Sequence, residues 1–181
     1  MKGLFNIYIM GNIFSFLSSL FGRGGKVTVD NSTVRSLDLE RFMGRWYELA
    51  RYDHSFERGM SHVSAMYMMT DSGKVLLVNE GVRNGKKRSI RGRAKQPDAS
   101  QPGKLKVAFF LWFYSDYYVM DIDPDYRYAL VGSSSDKYLW ILSRERTITD
   151  VVKGELLSKL RARGYDTDKL IFVDQGLVSD L

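Results

Sequence analysis

The chain has 181 residues, 44% hydrophobic and 27% charged, with a formal net charge of +6. That length supports one domain with a sizeable core, and the balance excludes disorder for most of the chain. The absence of cysteine excludes disulfides, thiolate metal sites, a cysteine nucleophile and cysteine-linked lipid, and two histidines are too few for an imidazole metal site.

Residues 1–25 are apolar but interrupted by Asn6, Gly11, Asn12, Ser15, Ser18 and Ser19, which breaks any confident membrane span. Ile13, Phe14, Leu17, Leu20 and Phe21 fall on one helical face, so the segment reads either as an amphipathic helix contacting a membrane surface or as a degenerate signal sequence or misplaced start. The polar run to Ser36 reads as a linker. From Leu37 the pattern changes to short strand-like runs bounded by turn residues. In order they are RWYELARY, HVSAMYMMT, KVLLVNEGV, KRSIRGRAK, KLKVAFF, DYYVMDI, YRYALVG and KYLWILS. Asn84-Gly85, between the third and fourth, is a strong hairpin signal. Eight strands at hairpin spacing favour an all-β, eight-stranded antiparallel up-and-down barrel or a sandwich, and such a barrel has room for one small ligand.

The period then changes. A helix is expected over about 149–163, with Thr147 or Thr149 near its start, a stripe of Val152, Leu156, Leu157 and Leu160, and Gly164 as its C-terminal stop. KLIFV after it reads as one more strand. The expected organisation is a segment of 1–36, a barrel with its outer helix over 37–174, and a tail of 175–181.

Alternation assigns faces in two strands. Leu105, Val107 and Phe109 should point inward between Lys104 and Lys106. Ile90, Gly92 and Ala94 should point inward between Ser89, Arg91, Arg93 and Lys95. The stretch from Lys106 to Asp121 holds seven aromatic residues, so Trp112 and Phe113 should stand at the cavity mouth, with the side of Tyr117 left open. Arg83, Lys86, Lys87 and Arg88 cluster at the Asn84-Gly85 turn. They read as a solvated hairpin tip or as a cationic rim for an anionic headgroup.

Catalytic motifs are absent. His54 and His62 read as surface or loop residues. Asp121, Asp123 and Asp125 resemble the start of a calcium loop, but the Gly and closing Glu are missing, so a turn is expected. Glu48 would be a buried carboxylate if it shares the face of Trp46. No catalytic residue, metal or cofactor is expected, and nucleic-acid binding would need a broader basic face.

The first strand opens with FMGRWYELAR, whose Gly44, Trp46 and Tyr47 resemble the G-x-W-Y motif of lipocalins. DPDYRYALV, with Asp125 and Tyr126, resembles the second lipocalin motif, and LSR ending at Arg144 the third. ELARYDHSFERG and YLWILSRERTITD are similar to the bacterial lipocalin subfamily. The resemblance implies that the three motifs meet at the closed end of a barrel, with Arg144 over Trp46. It also implies non-covalent binding, storage or transport of a small hydrophobic ligand, here a fatty acid or lysophospholipid. The alternatives are a lipid- or tetrapyrrole-modifying enzyme and a membrane-surface module. Bacterial lipocalins of this type are outer-membrane lipoproteins with a lipidated cysteine. This chain has none, so lipid anchoring does not carry over. The expected location is the cell envelope or a membrane surface, with the cytoplasm left open.

Overall fold

The computed structural model describes residues 28–110 and 113–176. The expected helix within residues 1–25 and the expected position of Trp112 lie outside them. Among the described residues nine strands form one antiparallel sheet: β1 (Gly44–Tyr52), β2 (Met60–Met69), β3 (Val75–Arg83), β4 (Lys86–Lys95), β5 (Lys104–Ala108), β6 (Ser115–Ile122), β7 (Tyr128–Gly132), β8 (Leu139–Ser143) and β9 (Leu170–Phe172). Each of the first eight pairs with its neighbour in sequence, and β1 pairs with both β2 and β8, closing an eight-stranded barrel. Closure removes the unpaired edges that an open sheet would expose.

β1 serves two partners along one edge. Gly44 to Tyr47 pair with β2, whereas Ala50 to Tyr52 pair with β9. The β1–β8 register shifts between Glu48 and Ala50. Such a bulge re-aims the side chains that follow it.

The inward faces of β4 and β5 follow the alternation. Leu105 and Val107 are buried, and Val107 sits opposite Ala94. The inner core gathers Phe42, Trp46, Leu77, Val119, Val131 and Leu142. Asp116, the first residue of the expected sixth strand, lies in β6 and pairs with Lys106 of β5 at 2.7 Å.

Among the described residues two α-helices flank the barrel. The short α1 (Leu39–Phe42) was not foreseen; Asp38 caps it by accepting from the Arg41 amide, and Phe42 is its buried residue. α2 (Asp150–Ala162) is capped by Thr149, not Thr147, with the Thr149 hydroxyl accepting from the Val152 amide. It ends in Gly164 at φ 83, with the Tyr165 amide donating to Leu160 and the Gly164 amide to Arg161. Leu156 and Leu160 enter a second core on the outside of the barrel with Ala50, Met120, Leu130 and Ile141. Leu160 is fully buried, so Leu160→Ala should cost about 2–5 kcal/mol in urea unfolding. Val151→Ala, at a position 71% exposed, should change stability by less than about 0.5 kcal/mol.

Residues 28–36, read as a linker, are docked. The Asp30 amide donates to Arg163 and the Val34 amide to Val119, while the Arg163 guanidinium donates to the Ser32 and Met120 carbonyls.

Candidate ligand-binding cavity

Strand direction places the start of β1, the β6–β7 turn and the end of β8 at one end of the barrel. The Trp46 indole is buried there and donates to the Phe42 carbonyl at 2.8 Å. The Arg144 guanidinium lies over its ring at 3.8 Å and donates to the carbonyls of Arg45 at 2.8 Å, Arg41 at 2.7 Å and Tyr126 at 3.2 Å. A planar, permanently charged fork can hold three acceptors and a ring face together; an ammonium cannot. Gly44 is at φ 92, and a Cβ there would stand 3.3 Å from the guanidinium, so both its backbone and its neighbour favour glycine. Tyr126 accepts from the Asp38 amide through its hydroxyl. The Tyr47 ring, on the outer face, lies under Arg146 at 5.0 Å. Asp125 is exposed beside Arg127, where Asp123 carries the main ion pair at 3.0 Å.

The other half of the barrel holds a cavity of about 70 Å³. Its apolar wall is Val63, Ala65, Leu77, Val107, Phe109 and Leu142. The Phe56 and Phe109 rings lie 5.9 Å apart at the open end. Tyr67 and Tyr117 form the floor, the Tyr67 hydroxyl donating to that of Tyr117 at 2.9 Å. Burial pushes both phenols up, Tyr67 to about 12, so both stay neutral hydrogen-bonding groups. Beneath them lies a smaller space of about 10 Å³, bordered by Phe42, Val75 and Leu105. The aromatic residues therefore both line and fill the barrel.

One wall is polar. Glu48 is buried and receives the Arg51 guanidinium at 2.7 Å. Arg51 also donates to the Glu57 carbonyl at 2.6 Å. The Glu57 carboxylate pairs with His54 at 2.9 Å and accepts from the Trp140 indole at 3.1 Å. The Gln175 amide donates to the Glu48 carbonyl at 2.6 Å. Burial, then the charge of Glu57, holds the Glu48 carboxyl well above the usual range. Burial also pushes Glu57 up, but the His54 hydrogen bond and charge, with Trp140 and Arg51, outweigh it and leave Glu57 below the usual range. His54 lies in the loop after β1, as one of its two readings had it, but it is buried against Glu57 and not on the surface. His62 is half-buried at φ 53, its amide donating to the Asp174 carbonyl.

Of the candidate ligand contacts, Val107, Phe109 and Tyr117 line the cavity. Ile90 is half-buried on the inward side opposite Asn79, and it is not among the described residues that line the cavity. Phe113 is 43% exposed in the β5–β6 connection. Arg83 turns inward to donate to the Phe56 carbonyl at 2.7 Å, tying the 53–59 loop across the mouth. Lys86, Lys87 and Arg88 are exposed at the hairpin tip. Arg51, Glu57 and Trp140 were missed as cavity groups, and His54 was read otherwise; for Arg51, His54 and Glu57 the signal available was the run of charged residues in ELARYDHSFER, and Trp140 had none.

The model of the lipocalin-like domain matches residues 37–175. The outer membrane lipoprotein Blc of Escherichia coli is 42% identical over 146 residues, covering 80% of this chain and 82% of that protein. Temperature-induced lipocalin-1 of Arabidopsis thaliana is 38% identical over 146 residues, covering 76% and 78%. Among solved structures, insecticyanin of Manduca sexta superposes with a TM-score of 0.68 at 25% identity, covering 84% of this chain and 86% of that one.

Proposed function

The chain belongs to the lipocalin family, and on that premise we propose that it binds and carries a fatty acid or lysophospholipid in its barrel. The observation that carries the reading is the cavity of about 70 Å³ with an apolar wall at one end of a barrel plugged by Trp46 at the other. That space holds on the order of five water molecules, enough for part of an acyl chain. The rest of the chain leaves between Phe56 and Phe109 or displaces the Tyr67–Tyr117 floor. The headgroup sits outside, near Lys86 and Lys87. Affinity comes mainly from apolar burial, about 25 cal/mol per Å² before ordering costs.

Displacement of a fluorescent fatty acid tests this. Saturable binding is expected, and Phe109→Ala should weaken it by about tenfold through lost contact area. Binding that is unsaturable, or indifferent to Phe109, overturns the placement.

The likeness to a named outer membrane lipoprotein supports an envelope location, and no helix among the described residues is long and apolar enough to cross a membrane. An enzyme in the same cavity is the second reading, favoured only by the buried Glu48 and Glu57 carboxyls, and it requires turnover of a lipid or lipid peroxide.

A further inference from the structure

Among the described residues that line the cavity, the charged side chains are Glu48, Glu57 and Asp116, with His54 beside them; no lysine or arginine is among them. Asp116 is matched by Lys106 across the strand pair. Glu48 and Glu57 are both buried; the Arg51 guanidinium reaches the Glu48 carboxylate and the Glu57 backbone carbonyl, and His54 and the Trp140 indole reach the Glu57 carboxylate. Among the described residues facing the pair, Arg51 is the permanent cation, and His54 adds charge only when protonated, so the wall can take up a further hydrogen-bond donor or positive charge, from a proton or from a ligand. An anion entering this space would meet two carboxyls in a low-dielectric wall, which is strongly unfavourable.

We infer that the Glu48–Glu57 wall makes the cavity selective for ligands that present a hydrogen-bond donor to it, an alkylammonium being the best fit, and that it keeps carboxylate and phosphate groups outside. The inference rests on the proposed cavity-binding function and fixes the direction of entry: an anionic amphiphile goes in tail first. The groups facing the carboxyl pair are Arg51 of β1, His54 of the following loop, the Trp140 indole of β8, and the Tyr67 and Tyr117 hydroxyls of β2 and β6. The raised Glu48 carboxyl is consistent with a proton occupying the place an ammonium would take. Ammonium binding should then release a proton.

The test uses the full chain and three probes of matched length, octylamine, octanol and octanoate, each displacing a neutral fluorescent ligand. Octylamine should bind at least about tenfold more tightly than octanol, with octanoate the weakest. In Glu48→Gln, and separately in Glu57→Gln, the amine-to-alcohol ratio should fall toward one. Calorimetry of wild-type protein with octylamine in buffers of different ionisation enthalpy should report proton release. An amine no tighter than the alcohol, or a preference that survives both substitutions, overturns the selectivity while the cavity function stands. Failure of all three probes to displace the ligand overturns both.

Discussion

Arg51→Ala should destabilise the protein by about 3–5 kcal/mol, because it strands the buried Glu48 carboxyl and the Glu57 carbonyl without their guanidinium. Arg51 is 1% exposed and holds the Glu48 carboxylate together with the Glu57 carbonyl. The loss should depend on pH. Glu48 sits above its ordinary 4.5, so its contribution to stability is complete below that value and is lost as pH rises through its folded pKa. Removing the attraction of Arg51 raises that pKa further, so the defect is smallest in acid and grows with rising pH. Glu57 has the opposite sign: it lies below 4.5, contributes above that value, and loses its contribution as pH falls through its folded pKa. The pH of maximum stability should therefore move toward acid in the variant. Urea unfolding across pH measures this. The double variant Glu48→Leu with Arg51→Met should recover most of the loss, since an apolar replacement of a buried ion pair is often neutral or better. A single-variant cost under about 1 kcal/mol would show that the cluster is not a buried ion-pair network.

Arg144→Ala should cost about 2–4 kcal/mol, combining a cation–π contact with three charge-assisted hydrogen bonds. For a chain of this size that lowers the thermal midpoint on the order of 5–15 °C. Arg144→Lys should restore little, because an ammonium cannot cover the Trp46 face and reach the carbonyls of Arg41, Arg45 and Tyr126 together. An unchanged midpoint in Arg144→Ala would remove the closure role.

The two residues differ in how far the sequence discloses them. Arg144 ends LSR, a motif that arrives in order after Gly44, Trp46 and Tyr47, and the meander topology alone brings those positions to one end. Arg51 lies within ELARYDHSFERG, but that likeness does not say which way its side chain turns. It lies three residues from Glu48, a spacing that puts two side chains on opposite faces of a regular strand. The shift in β1–β8 pairing between Glu48 and Ala50 lets Glu48 and Arg51 meet. His54 and Glu57 follow in a loop, where no periodicity says which side chains turn inward.

The sequence by itself determined the strand count, the hairpin order, the outer helix, the inward set of β4 and β5, and the meeting of three motifs at one end. All but the last follow from periods of two and 3.6 and from local turn chemistry, encoded within a few residues; the last is what the motif resemblance implies with the meander order. Only the tertiary structure decided the polar wall, the Tyr67–Tyr117 floor and the diversion of Arg83 to the Phe56 carbonyl. Each joins side chains across a bulge, across the barrel or through a loop, and such meetings are set by how the closed sheet packs, not by the pattern along any one strand.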